Sequence, residues 1–212
     1  MKNHVTGLEV IMQKILVWDW PVRIGHWLMV GGFCLAWLTA ESETFRLVHV
    51  VSGAIVLGVA TFRLPWGFIG SRYARFAEFV RGPTAIKDYF ASILKLEPAH
   101  HVGHNPAGSW AIVILLGLGI LTSLAGWAIY NDIGGHLLEE LHEGLATAML
   151  LVVFIHLAGV FSGSLLHGEN LVRAMLTGLK NGLPEEAIAS AHPLAAILLL
   201  AWVTAAGWLI AN

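Results

Sequence analysis

Cysteine is almost absent from this sequence. The 212 residues contain a single cysteine, Cys34, which lies within an apolar run. One thiol cannot form a disulfide framework, a thiolate zinc site or the motif that attaches a c-type haem covalently. These three kinds of site are therefore excluded, and Cys34 is expected to behave as a small apolar residue.

Charge is also scarce. Charged residues make up 12% of the chain, whereas ordinary soluble domains contain about 25%. The mean hydropathy is +0.71 and 57% of the residues are hydrophobic. This composition excludes most soluble folds, and a net charge of −2 gives no basis for binding nucleic acid. We predict a single integral-membrane domain over residues 1–212.

Long apolar runs are what the sequence does contain. A helix needs about 20 apolar residues to cross the hydrocarbon core of a membrane. Five runs qualify, and we expect four core spans within residues 22–163 followed by an extra C-terminal span. The predicted spans are residues 24–40, 47–68, 107–130, 137–163 and 193–211.

Two further features concern the segments around these spans. Arg63 and Pro65 suggest that the second span ends before residue 68. Residues 70–105 are polar, but their apolar side chains recur at helical spacing among basic ones. This pattern is typical of an amphipathic helix on the membrane surface, and Gly82 and Pro83 predict a break in it.

The basic residues predict the orientation. Cytoplasmic segments of membrane proteins are enriched in lysine and arginine. With a cytoplasmic N-terminus and a periplasmic C-terminus, Arg46 is the only basic residue outside, and the other eleven lie inside: Lys2, Lys14, Arg23, Arg63, Arg72, Arg75, Arg81, Lys87, Lys95, Arg173 and Lys180. We expect a multi-pass protein of a bacterial inner membrane, with the N-terminus retained and the first span as its insertion signal.

Four of the eleven histidines lie within predicted spans: His26, His49, His142 and His156. An ionisable side chain inside a membrane is costly and indicates function by default. The others fall in the N-terminal leader (His4) or in connecting segments. For three of these, His104, His136 and His167, we favour a solvated loop over a redox or quinone role.

The depths of the four histidines match in pairs. His142 and His156 are fourteen residues apart on one predicted helix, which is about 21 Å of helical rise. Fourteen steps of about 100° also bring both side chains to nearly the same face. His49 is predicted to lie at the same depth as His142, and His26 at the same depth as His156. The spacing thus predicts two facing pairs, one near each membrane surface.

A haem iron is the best candidate for such pairs. It takes two axial ligands on opposite sides of a flat macrocycle, and helix bundles supply them from facing helices. Glycines near the ligands would admit the macrocycle: Gly25, Gly53, Gly144 and Gly159. Zinc would need a third or fourth ligand, and Glu143 is the only nearby carboxylate. Structural hydrogen bonding would explain a single histidine more easily than two matched pairs.

Several motifs resemble one known family. Residues 23–27 (Arg-Ile-Gly-His-Trp) resemble the Arg-x-x-His-Trp opening of bacterial dihaem cytochromes b, a family that includes b-561-type cytochromes and the cytochrome b subunit of nickel-iron hydrogenases. Residues 17–19, 103–106 and 169–175 also resemble it, as does the spacing of His142 and His156. The similarity covers about residues 15–180 and leaves the fifth span unexplained.

The resemblance implies two haems b. By position, His26 and His156 would hold the inner haem iron, and His49 and His142 the outer one, which agrees with the pairing by depth. Arg23 lies one turn before His26, where it could pair with a haem propionate or simply anchor the helix at the membrane surface.

The same resemblance implies electron transfer between membrane quinone and a periplasmic redox partner, such as a c-type cytochrome or a hydrogenase. His104 and Asn105 are candidate quinone contacts. An acidic outer surface would favour a basic partner; it consists of Glu41, Glu43, Asp132, Glu139, Glu140 and Glu143. Membrane lipid is a further partner, and the sequence leaves homodimerisation open.

Two other functions remain as alternatives. One is a stand-alone superoxide:quinone oxidoreductase. A basic groove over the outer haem would favour this function, and the acidic outer segments weigh against it. The other is a histidine-lined transporter of metal ions. Such proteins often have internal repeats and binding sites at the membrane midplane. The sequence shows no clear repeat, and its histidine pairs lie near the two surfaces.

Overall fold

The computed structural model of the protein describes residues 12–95 and 101–211. Lys2, His4 and His100 lie outside the described residues, so nothing further follows for them. Five long helices have the length and apolar character to cross a membrane: α1 (Trp20–Thr39), α2 (Arg46–Ile69), α5 (Pro106–Tyr130), α6 (Gly135–His167) and α8 (Pro193–Ala211). The prediction of an all-α membrane protein with five spans is confirmed. The bundle end at which α1 begins is called the inner end, and the opposite end the outer end.

Helix α1 begins four residues before its predicted start. Asp19 is fully buried, and its Oδ1 accepts a hydrogen bond from the Val22 amide at 2.8 Å. This is an N-cap, which satisfies an amide that the first turn of a helix leaves unpaired. The Trp66 indole donates to Oδ2 of the same carboxylate at 3.1 Å, which ties the start of α1 to the end of α2.

Helix α2 runs on through Pro65 to Ile69, so the expectation of an earlier end is wrong. Proline removes one backbone donor but need not end a helix close to its C-terminus. Arg63 does not mark an end either, because its guanidinium turns away from the helix. It donates to the Ala74 carbonyl at 2.6 Å and lies 5.1 Å from the Phe76 ring centroid.

The segment between α2 and α5 contains two short helices, α3 (Phe76–Phe79) and α4 (Pro83–Leu94). They are separated at residues 80–82, where Gly82 and Pro83 predicted a break. The Trp110 indole of α5 donates to the Arg81 carbonyl at 2.9 Å, so the break itself is attached to a span. The expected amphipathic helix is therefore present, divided into two pieces.

A small sheet at the inner end was not predicted. Strand β1 (Gln13–Leu16) pairs antiparallel with β2 (Leu179–Gly182), just beyond the short helix α7 (Leu171–Thr177). Lys180 on β2 is only 5% exposed. Its ammonium lies 3.0 Å from Oε2 of Glu169 and donates to the His101 carbonyl at 3.1 Å. The sheet thus joins the start of the described chain to the segment after α6.

Helix α8 covers one flank of the bundle by packing on α2 and α1. Leu199 is 1% exposed and packs with Val59 and Val203. A methyl group at Gly58 would lie 3.3 Å from both Val203 and Ala206, so the two helices approach closely there. A single domain over residues 1–212 stays a prediction, which this packing supports.

The remaining helices leave a cleft. Helix α5 packs along both α2 and α6, and α1 packs on α2. Among the described residues, α6 has its one extensive helix–helix interface with α5 and none of that extent with α1 or α2. The histidines of α6 therefore face those of α1 and α2 across a loosely packed interior.

Candidate functional site

The outer histidine pair is brought together as the sequence predicts. His49 lies in the first turn of α2, His142 lies in the second turn of α6, and their ring centroids are 6.1 Å apart. Metal–imidazole bonds are about 2 Å long, so two imidazoles on opposite sides of one metal have centroids about 6 Å apart. The spacing of this pair matches that of two axial ligands.

Both outer imidazoles are held through the same nitrogen. Nδ1 of His49 donates to the Ala36 carbonyl of α1 at 2.8 Å. Nδ1 of His142 donates to the Thr122 carbonyl of α5 at 2.9 Å. A carbonyl can only accept, so Nδ1 carries the proton in each ring and Nε2 keeps its lone pair. This bond from the second ring nitrogen is typical of histidines that bind metal.

A cleft of about 230 Å³ surrounds the outer pair. Gly53 lines it one turn beyond His49, and a Cβ at that position would meet nothing within 4 Å. Arg46 and Tyr130 also line it, with the guanidinium 5.4 Å from the ring centroid. Typical cofactor pockets measure roughly 300 to 1,000 Å³. The spacing of the two imidazoles fits a flat macrocycle, but the cleft is smaller than this range, so the macrocycle would have to widen it or extend out of it.

The inner pair consists of His26 on α1 and His156 on α6. Nδ1 of His26 is buried and has no hydrogen-bond partner among the described residues. An unpaired polar nitrogen in apolar surroundings is unfavourable, and His26 lacks the Nδ1 bond that holds each outer imidazole. The structure thus brings the outer pair together, whereas the pairing of His26 with His156 and the roles of all four histidines as haem ligands stay predictions.

The four glycines singled out from the sequence differ in role. Gly144 and Gly159 have open space at the Cβ position, as Gly53 does. A methyl group at Gly25 would instead lie 3.2 Å from Val59 and 3.6 Å from Leu199. Gly25 therefore serves the packing of α1 against α2 and α8.

Arg23 has partners away from the inner pair. Its guanidinium donates to the Leu176 carbonyl of α7 and lies 4.2 Å from the Trp20 ring centroid. These contacts attach α1 to α7 beside a surface groove that Trp27 and Leu28 also line. Pairing of Arg23 with a haem propionate stays a prediction.

The expectation of a solvated His104 is wrong. Its ring centroid lies 4.5 Å from that of Trp18 and 4.7 Å from that of Phe79, and its Nδ1 is buried. Burial, reinforced by the charges of Arg63 and Lys180, lowers the pKa of His104 to about 3, so the ring is neutral. Asn105, the other candidate quinone contact, caps α5 by accepting from the Gly108 amide at 2.7 Å.

The outer surface agrees with the sequence-based expectation. Its acidic residues are exposed: Glu41, Glu43, Asp132, Glu139, Glu140 and Glu143. The His136 side chain is 81% exposed and lies 3.6 Å from Glu140, as expected of a solvated histidine. His167 is the last residue of α6 rather than part of the following loop, and it is half-buried.

Apolar helices of membrane-spanning length that bring two imidazoles face to face are typical of one class of protein, the integral-membrane b-type cytochromes. Residues 17–178 match the family described as prokaryotic cytochrome b561, and the chain belongs to that family. The match takes in the four core spans with all four histidines and ends before β2 and α8. The resemblance noted in the sequence is confirmed.

Curated relatives are similar over a shorter region. The chain is 26% identical over 145 residues to the probable Ni/Fe-hydrogenase 1 B-type cytochrome subunit of Escherichia coli K12, covering 55% of this chain and 60% of the relative. It is 25% identical over 150 residues to the probable Ni/Fe-hydrogenase B-type cytochrome subunit of Rhizobium leguminosarum bv. viciae, covering 58% and 62%. The chain thus spans about 60% of the length of these relatives. No solved structure matches it significantly.

Proposed function

We propose that this protein transfers electrons across a bacterial inner membrane through two haems b. His49 and His142 would hold the outer haem iron, and His26 and His156 the inner one. The observation that carries the proposal is the outer pair, with ring centroids 6.1 Å apart and both Nδ1 atoms bonded to backbone carbonyls. Membership of the cytochrome b561 family supports it.

The residues would divide the task in a simple way. Haem b supplies a one-electron iron couple when it is bound. Helix α6 carries a ligand for each site, so its rise between His142 and His156, about 21 Å, sets the separation of the two sites. The carbonyl bonds fix the tautomer of the outer imidazoles and raise their basicity.

The proposed redox partners depend on which side of the membrane each end of the bundle faces. We propose a cytoplasmic inner end, because the basic residues gather there, and a periplasmic outer end. The exposed carboxylates of the outer end would attract a basic redox protein, such as a c-type cytochrome. The names of the curated relatives also make a hydrogenase a candidate partner. Quinone would exchange electrons from the membrane side.

The test begins with a reduced-minus-oxidised visible spectrum of the detergent-purified protein and pyridine-haem quantitation. We expect two non-covalent haems b per chain. His49→Ala or His142→Ala should lose one haem, and His26→Ala or His156→Ala the other. A folded preparation that binds no haem would remove the proposal. Reconstituted protein that exchanges no electrons with quinol or quinone would remove its quinone part alone.

A further inference from the structure

Helix α5 contributes none of the four paired histidines, yet it contacts the His142 ring at two places. The Thr122 carbonyl accepts the Nδ1 proton at 2.9 Å. One turn further along, Gly126 lies against the edge of the same ring. A Cβ at Gly126 would lie 2.9 Å from Cε1 and 3.2 Å from Nδ1 of His142. Real Cβ atoms essentially never approach as closely as the first of these distances.

Glycine at position 126 needs an explanation, since it weakens a helix relative to alanine. Backbone conformation does not supply one, because Gly126 is not among the glycines with positive φ. Helix packing explains Gly119 on the same face, where a methyl group would meet Val56 at 3.3 Å. At Gly126, the three atoms nearest to an added methyl group all belong to the His142 imidazole.

We propose that Gly126 is a positioning residue for the outer haem ligand. The missing side chain lets the imidazole lie against α5 with its Nδ1 on the Thr122 carbonyl, and this contact directs Nε2 toward His49. The inference rests on the proposed function, because it takes His142 to be an iron ligand. Beyond that function, the inference states that α5, which carries no haem ligand itself, sets the orientation of the ligand His142.

An added methyl group at position 126 should have different effects with and without a bound metal. The imidazole is the far end of a flexible side chain, so without a bound metal it could rotate away from an added methyl group with little effect on the fold. With Nε2 bound to iron, the same rotation would strain the iron–nitrogen bond or break the bond to Thr122. A methyl group at position 126 should therefore perturb the outer haem and spare the bundle.

The chain offers a matched control on the same helix. Gly117 is exposed on α5, and a Cβ there would meet nothing within 4 Å. Gly117→Ala makes the same chemical change and the same gain in helix propensity. The inner haem serves as a second control within each molecule, because a displaced α5 would disturb both sites.

The experiment compares wild type, Gly126→Ala and Gly117→Ala, each purified with its haems. The readouts are the two midpoint potentials, the low-spin EPR g-values and the rate of haem loss to an excess of apomyoglobin. In Gly126→Ala we expect a shifted potential and altered g-values for the outer haem alone. Its affinity should fall roughly 10- to 100-fold, the usual cost of disturbing a residue that orients a metal ligand. Gly117→Ala should match wild type.

Two outcomes would overturn the positioning role. One is an outer haem in Gly126→Ala that is indistinguishable from that of wild type. The other is an equal change at both haems, which would mean that the methyl group displaced α5 as a whole. Failure of the proposed function would be visible separately, since wild type would then hold fewer than two haems or His142→Ala would keep both.

Discussion

The two ends of the bundle are built in different ways. At the inner end, β1, β2, α7 and the α3–α4 segment cover the helix ends and bury polar groups among them, including Asp19 and Lys180. At the outer end, short connections leave a cleft around His49 and His142 open at its mouth. The inner pair therefore lies beneath a folded cap. The outer pair is held by two carbonyl bonds, and the His142 ring lies against Gly126.

The two ends of the bundle are therefore held together by different kinds of interaction. At the inner end, the polypeptide itself supplies the partner of a buried charge, because the Glu169 carboxylate pairs with the Lys180 ammonium. At the outer end, α6 has an extensive interface with α5 alone. A macrocycle joining His142 to His49 would supply the missing link between α6 and α2. The outer half of α6 should accordingly respond to haem more than the inner half.

Removal of the outer haem gives the largest expected effect. A ligand at about 1,000 times its Kd stabilises the folded state by about 4 kcal/mol. We expect His49→Ala with His142→Ala to lower the thermal unfolding midpoint and to raise hydrogen exchange in the outer half of α6. His26→Ala with His156→Ala should raise exchange less, because α7 and the sheet still hold the inner half. Equal increases in the two halves would contradict the comparison.

Breaking the buried ion pair of the inner cap should have the next largest effect. Lys180→Met leaves the Glu169 carboxylate buried without its ammonium, and losing one partner of a buried pair typically costs about 3–5 kcal/mol. The control is Arg75→Met, which removes a partner of Glu78 from an exposed pair at 3.2 Å. Such exposed pairs contribute about 0–1 kcal/mol.

Chemical unfolding in micelles would measure both variants, with hydrogen exchange in β1 and β2 as the local readout. Similar losses for Lys180→Met and Arg75→Met would show that the inner cap is not held by this pair. A large gain in exchange at the outer cleft would show that the two ends are not independent.

A smaller effect is expected from His104, a half-buried histidine of the inner cap. The folded-state pKa of His104 is about 3, below the ordinary value of 6.5. As the pH falls from about 6.5 to about 3, the unfolded chain binds a proton at this site and the folded chain does not. Stability should therefore decrease on acidification by at most about 1.4 kcal/mol per pH unit.

His104→Phe keeps an aromatic ring between Trp18 and Phe79 and removes this proton. Unfolding midpoints at pH 7 and pH 4.5 should differ less in the variant than in wild type. The same difference in both proteins would place the pH sensitivity elsewhere.

Much of this architecture follows from local sequence patterns. The five spans are confirmed because length and apolar character alone define them. The start of α1 could have been placed correctly, since Asp19 before Trp20 and Pro21 is an ordinary N-cap signal. The sheet could not, because four residues at 13–16 pair with four residues at 179–182 and neither strand has a clear alternating pattern.

The candidate site, too, could be predicted from the sequence only in part. Helical rise and rotation were enough to predict that His49 and His142 meet, because those quantities depend on one helix at a time. The burial of His104 was missed, since it depends on how the α3–α4 segment folds back onto Trp18. The roles of the Thr122 carbonyl and Gly126 were equally out of reach, because they depend on the rotation of α5 relative to α6.

The two-stranded sheet has a consequence for how the protein is made. Proteins are synthesised from the N-terminus, so β1 leaves the ribosome before the first span and β2 only after the fourth. The strands can pair only when four helices have already been threaded into the membrane. The sheet therefore forms late, and it joins the two ends of the four-helix core only after all four helices have been made.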